Sequence, residues 1–101
     1  MAHDTPTRSR VVAGEPAVAL ARAFLKFKTV ILPDGRVRFD AELDGKEGAP
    51  LARALMRVEA ELLVKDAEKI SADRRVANRT PAQRRADALV AVVLRVQDAL
   101  A

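Results

Sequence analysis

Pro33-Asp34-Gly35-Arg36-Val37-Arg38-Phe39-Asp40-Ala41-Glu42-Leu43 reads as a turn followed by a strand, and the other elements of the chain can be arranged around it. Pro33 sets the first turn angle, Asp34 can hydrogen-bond the backbone, and Gly35 accepts the positive φ that closes a three-residue hairpin with a bulge. After the turn, Val37, Phe39, Ala41 and Leu43 alternate with Arg36, Arg38, Asp40 and Glu42, giving one apolar and one charged side. Before it, Leu25, Phe27, Thr29 and Ile31 alternate with Phe24, Lys26, Lys28 and Val30, which predicts the opposing strand. A lone hairpin is marginal in water, so its apolar side is expected to lie on helices or on a hairpin from a second copy.

Helical signals flank this hairpin. Upstream, Pro16 and the helix formers Ala17 to Ala23 predict a short N-terminal helix. Residues 1–15 have no periodicity and read as a flexible arm, made mildly basic by Arg8 and Arg10. Downstream, Asp44-Gly45-Lys46-Glu47-Gly48 reads as a loop ending at Pro50, after which Leu51, Leu55, Val58 and Leu62 recur at helical spacing to about Lys69. Whether that helix continues to Ala77 is left open by Ser71, Asp73 and Asn78. Arg79-Thr80-Pro81-Ala82-Gln83 then starts another helix, with Thr80 as N-cap, Pro81 at the first helical position and Gln83 completing a capping box. This last helix is aliphatic nearly all round from Ala88 to Leu94, so burial on more than one side is expected, by a central position or by self-association through Leu89, Val90, Val93 and Leu94. The fold class that follows is α+β: one small domain over residues 16–101, with a β-hairpin packed on two longer helices.

Composition narrows the function classes. Of 101 residues half are hydrophobic, mostly Ala, Val and Leu, with three Phe and neither Trp nor Tyr. A core of such small pieces favours close helix packing or a partner, and a homodimer is expected. Without cysteine there are no disulfides and no thiolate chemistry. No apolar run approaches the roughly 20 residues of a membrane span, and no signal peptide is readable, so a cytoplasmic protein with no membrane contact is expected. His3 is the only histidine and lies in the arm, where nothing orients it as a base or ligand. No metal-ligand spacing is found, and neither glycine-containing turn has phosphate-loop spacing. Asp40, Glu42 and Asp44 could pair for acid and base work, but Arg36 and Arg38 beside them favour cross-strand ion pairs. The chain is therefore expected to be no enzyme and to need no cofactor.

The net charge is +4, and six basic residues between Lys69 and Arg85 stand against the single acid Asp73, a local excess of +5. Arg74, Arg75, Arg79, Arg84 and Arg85 form a cluster at the start of the last helix, where the helix dipole already favours an anion. Such a cluster suits DNA, RNA or an acidic protein partner. With no aromatic stacking platform nearby, nucleic-acid contact would be electrostatic and weakly sequence-selective. The competing reading makes the Arg84-Arg85 pair structural, bonded to Asp87, Glu47 or loop carbonyls.

Two blocks carry a family resemblance: Asp34-Gly35-Arg36-Val37-Arg38-Phe39-Asp40-Ala41-Glu42-Leu43-Asp44, and the more specific Arg79-Thr80-Pro81-Ala82-Gln83-Arg84-Arg85-Ala86-Asp87-Ala88-Leu89-Val90. Together they resemble the closing part of the actinobacterial domain of unknown function that precedes HNH endonuclease modules. The resemblance covers Thr29 to Val93 and implies a nucleic-acid context, such as a mobile element or phage, without implying cleavage. Arg84, Arg85 and Asp87 match the family motif, which assigns them no role. The histidine-bearing nuclease has no counterpart here, so the chain resembles a detached connector. Two functions follow as expectations. One is a non-catalytic binding or assembly module that contacts nucleic acid or an acidic partner through the Arg cluster. The other is a small phage or mobile-element interaction or inhibitory factor that docks through its aliphatic last helix.

Overall fold

The computed structural model describes residues 10–73 and 78–101. The elements, in chain order, are β1 (Val11–Val12), β2 (Glu15–Pro16), α1 (Ala17–Phe24), β3 (Lys28–Ile31), β4 (Val37–Asp40), α2 (Gly45–Ala72) and α3 (Pro81–Leu100). The chain is α+β: the described residues form two small antiparallel hairpins and three helices, of which α2 and α3 are the long packed pair.

Each helix contributes a narrow buried stripe to one core. Ala17, Leu20 and Ala23 come from α1, Leu51, Ala54 and Val58 from α2, and Ala88, Val92 and Val96 from α3, with Val12 closing the cluster. Leu20, Val58 and Val92 are the largest side chains that are fully buried. Alanines at the crossings let the helix backbones approach closely, and the expected core of small aliphatic pieces is the one found. The α3 start also follows its signal: Thr80 Oγ1 accepts from the Gln83 amide at 3.1 Å and Gln83 Oε1 from the Thr80 amide at 2.9 Å.

Three features differ from the sequence reading. First, residues 10–15 are part of the fold, whereas the sequence assigns them to an arm. β1 and β2 form a tight hairpin over Ala13 and Gly14, both at positive φ (50° and 80°), the combination that suits a two-residue turn. Arg10 beside it donates to the Ala99 carbonyl, and to the Ala101 carbonyl at 3.4 Å, satisfying part of the α3 terminus for which the sequence offers no cap. Second, α2 begins at Gly45, inside the expected loop, because the Asp44 carboxylate caps it by accepting from the Glu47 amide at 2.8 Å. Pro50 then lies within the helix and costs it one backbone bond. Third, the β3–β4 hairpin has its expected turn, with the Gly35 amide on the Leu32 carbonyl at 2.9 Å, yet it leans on the helices only through one side of its base. Every residue of β4 is exposed, and Ile31, Val37 and Phe39 are 75%, 49% and 48% accessible.

The first hairpin is fastened to α2 by a buried acid. Glu15 is 5% exposed, bonded by Arg53 Nη2 at 2.9 Å and Nε at 3.2 Å and by Arg57 Nη1, which also donates to the Ala13 carbonyl at 2.7 Å. Glycine suits position 14 through its φ of 80°, which side-chain-bearing residues rarely adopt, and a Cβ there would also displace the Arg57 guanidinium. The hydrogen bonds from Arg53 and then Arg57 hold the Glu15 carboxyl down at about 2, from an ordinary 4.5. Because the folded value is depressed, the stabilisation from this clamp is complete above pH 4.5 and is lost as pH falls toward 2. Thermal melts followed by circular dichroism from pH 7 downward should show the native chain leading Glu15→Gln at neutral pH, with the gap closing across that acid window.

Candidate functional site

The arginines singled out by the sequence do not share one surface. Asp66 of α2 is 6% exposed and lies between two of them, with Arg79 Nη2 at 2.9 Å and Arg84 Nε at 3.5 Å. Arg79 Nη1 also reaches Asp87 Oδ2 at 2.8 Å, and Arg84 Nη2 donates to the Arg79 carbonyl at 3.3 Å. Arg84, itself 7% exposed, is the first inward position of the stripe that continues through Ala88, Val92 and Val96. Arg79 and Arg84 are thus occupied in joining the C-terminal half of α2 to the start of α3. For Arg84 this is the structural role raised from sequence, met through a loop carbonyl as foreseen and through Asp66, which was not foreseen; Asp87 is bonded by Arg79 and not by the Arg84-Arg85 pair. Glu47 instead pairs with Lys26. Arg85 points outward with 64% of its side chain accessible, and its nearest acid, Glu59, is 3.9 Å away. Arg74 and Arg75 lie outside the described residues.

The carboxylates of the hairpin are likewise engaged locally. Arg38 bonds Asp40 at 3.1 Å and Arg36 bonds Asp34 at 2.6 Å, two residues apart along the chain in each case, where cross-strand pairs were expected. Asp44 is the α2 cap, and the Glu47 amide keeps its carboxyl below the ordinary range. No group of three or more His, Asp or Glu among the described residues could hold a metal ion, and none of the described helices is long and apolar enough to cross a membrane.

The surface that remains is apolar. Leu89, Val90, Val93 and Leu94, the four residues expected to self-associate, line a groove of about 330 Å³ together with Gln97, Phe24, Phe27, Thr29 and Phe39. It arises because α3 buries Ala88, Val92 and Val96 against α1 and α2, leaving the adjacent stripe outward, with Val90 52% and Leu94 58% exposed. The opposite wall is an aromatic run. Phe24 and Phe27 meet edge to face at 5.5 Å between ring centres, and Phe27 and Phe39 at 6.4 Å. These are all three phenylalanines of the chain. The largest apolar side chains therefore line an open groove while the core is built from alanine, valine and leucine. Sequence reasoning found the α3 half of this site and missed the aromatic half. The available signal was that the few aromatics all flank the hairpin.

Comparison with protein-family models, curated proteins and solved structures gives no match to this chain.

Removing the Asp66 carboxylate leaves a buried guanidinium without its acid, which typically costs about 3 kcal/mol. Urea unfolding should therefore show Asp66→Ala destabilised by about that much, whereas Arg85→Ala should lie within about 0.5 kcal/mol of the native chain.

Proposed function

We propose that this chain is a binding and assembly module that takes an amphipathic, acidic segment of a partner protein into the groove between α3 and the hairpin. The observation that carries this reading is the confinement of all three phenylalanines to that groove, opposite the exposed aliphatic stripe of α3. A concave apolar surface with rigid aromatic anchors is the kind of site at which a few buried side chains supply most of the binding energy. An amphipathic helix would seat its apolar face there.

Charge selects the acidic class. The chain carries a net +4, and Arg85 precedes Leu89 by one helical turn on the groove-lining stripe of α3. Arg22 and Lys28 flank the aromatic run in sequence, are exposed, and have no acid partner among the described residues. Aspartates or glutamates on the outer face of the docked segment would meet these cations and set its orientation. The likeness of the two sequence blocks to the connector ahead of HNH nuclease modules is in keeping with a role in assembly. A nucleic-acid ligand is supported less well, because Arg79 and Arg84 are already engaged by Asp66 and Asp87.

The test is a fluorescence-anisotropy titration with a synthetic helix bearing leucine on one face and glutamate on the other, run beside a scrambled peptide and a DNA duplex at low salt. The amphipathic peptide should bind and the scrambled one should not. Leu94→Glu should weaken binding about tenfold or more, and Arg85→Glu should weaken it and flatten its salt dependence. Equal binding of both peptides, or DNA binding that Arg85→Glu reduces with no peptide binding, would overturn the reading.

A further inference from the structure

β4 has one edge on β3 and the other open. The register pairs Lys28 with Asp40, Thr29 with Phe39, Val30 with Arg38 and Ile31 with Val37, and the Leu32 amide bonds the Arg36 carbonyl at 2.8 Å. Hydrogen-bonded pairs alternate along an antiparallel ladder, so Arg36, Arg38 and Asp40 turn their backbone groups toward β3. Val37 and Phe39 then turn theirs outward over the open edge. No other strand among the described residues pairs there, and every side chain of β4 is exposed.

The sequence along that edge is complementary to itself. When Arg36-Val37-Arg38-Phe39-Asp40-Ala41-Glu42 is laid antiparallel on a second copy about Phe39, Arg36 faces Glu42, Val37 faces Ala41, Arg38 faces Asp40, and Phe39 faces Phe39. Shifting the centre to Arg38 sets Arg38 against itself, and shifting it to Asp40 sets Asp40 against itself. Opposite charges directly across an antiparallel pair stabilise it and like charges destabilise it, so the charge pattern selects Phe39 as the centre. The backbone selects the same residue, because Phe39 carries an outward N–H and C=O that its symmetry mate can meet in a hydrogen-bonded pair.

We infer that two copies of this chain join antiparallel through β4 about Phe39, converting two separate hairpins into one four-stranded sheet. Such a sheet has the charged residues Arg36, Arg38, Asp40 and Glu42 on one face. On the other, Ile31, Val37 and Phe39 form a continuous apolar surface. It also relieves a local weakness, since a two-stranded hairpin with little packing on the helices is marginal by itself. The open backbone edge and the charged face of β4 form this contact, and the groove takes no part in it.

Charge reversal tests the register. In the native chain, sedimentation at about 100 µM should show a dimer. Arg38→Asp places two acids opposite each other at both symmetric positions, and Asp40→Arg places two cations there. Each should weaken dimerisation about tenfold or more while circular dichroism stays native. An equimolar mixture of the two variants restores an opposite charge at every position, so it should form heterodimers, and the double variant should again form homodimers. A monomeric native chain at that concentration, or single variants that dimerise as well as the native one, would overturn the inference. Leu94→Glu, which lies in the groove, should leave the dimer intact, so failure of peptide binding and failure of dimerisation are read separately.

Discussion

Helices in this chain meet through alanine, valine and leucine, and that constraint governs what is left for the surface. Ala17, Ala23, Ala54 and Ala88 are all at most 1% exposed, and the three largest fully buried side chains are one leucine and two valines. A site that closely packed has no volume for an aromatic ring, since overpacking displaces neighbours and forces strained rotamers. Phe24 and Phe27 pack only against the margin of that core and Phe39 is exposed, and all three line the junction of α1, the hairpin and α3. The groove is thus a consequence of the way the core closes, and so is the outward stripe of α3, which no fourth helix among the described residues covers.

A core made of small pieces leaves the register between elements weakly specified by shape. Two buried acids supply that specification. Glu15 ties the first hairpin to the first half of α2 through Arg53 and Arg57, and Asp66 ties the second half of α2 to α3 through Arg79 and Arg84. Each carboxylate meets two guanidinium groups, the arrangement a buried charge needs if its lost hydration is to be offset. Outside these, Glu61 and Arg95 join α2 to α3 at 2.8 Å as a solvent-facing pair of lesser weight. The local excess of positive charge between Lys69 and Arg85 is therefore partly internal, directed at acids elsewhere in the chain.

Features set by neighbours a few residues away were legible in the sequence. The Pro33-Asp34-Gly35 turn and the Thr80 and Gln83 capping box follow from local geometry, and each is found. Features decided by distant partners were not. Glu15 looks like part of a polar arm until Arg53 and Arg57, 38 and 42 residues on, come to lie over it. Arg79 and Arg84 look like a binding patch until Asp66, 13 and 18 residues earlier, is brought against them. The start of α2 was hidden for a different reason: Pro50 resembles a first helical residue strongly enough to mask the Asp44 cap before it. For the site, the aliphatic half was visible as a helical stripe. The aromatic half, spread over α1, the turn after it and β4, has no common period by which to be read.

The hairpin connects these findings, because its two sides face different tasks. Odd-numbered residues of β4 carry the apolar side chains, and Phe39 among them reaches the groove; even-numbered residues carry the charges. Since the side-chain period of a strand is two, a slip of one residue would exchange the sides, burying Arg38 and Asp40 against the phenylalanines and turning Phe39 to water. The bulged turn at Gly35 and the 6.4 Å contact of Phe27 with Phe39 hold the hairpin against that slip. The alternation that marks a hairpin in the sequence is thus also what separates an apolar surface suited to a partner's side chains from a charged edge suited to another strand. Both surfaces owe their definition to the register of one short ladder.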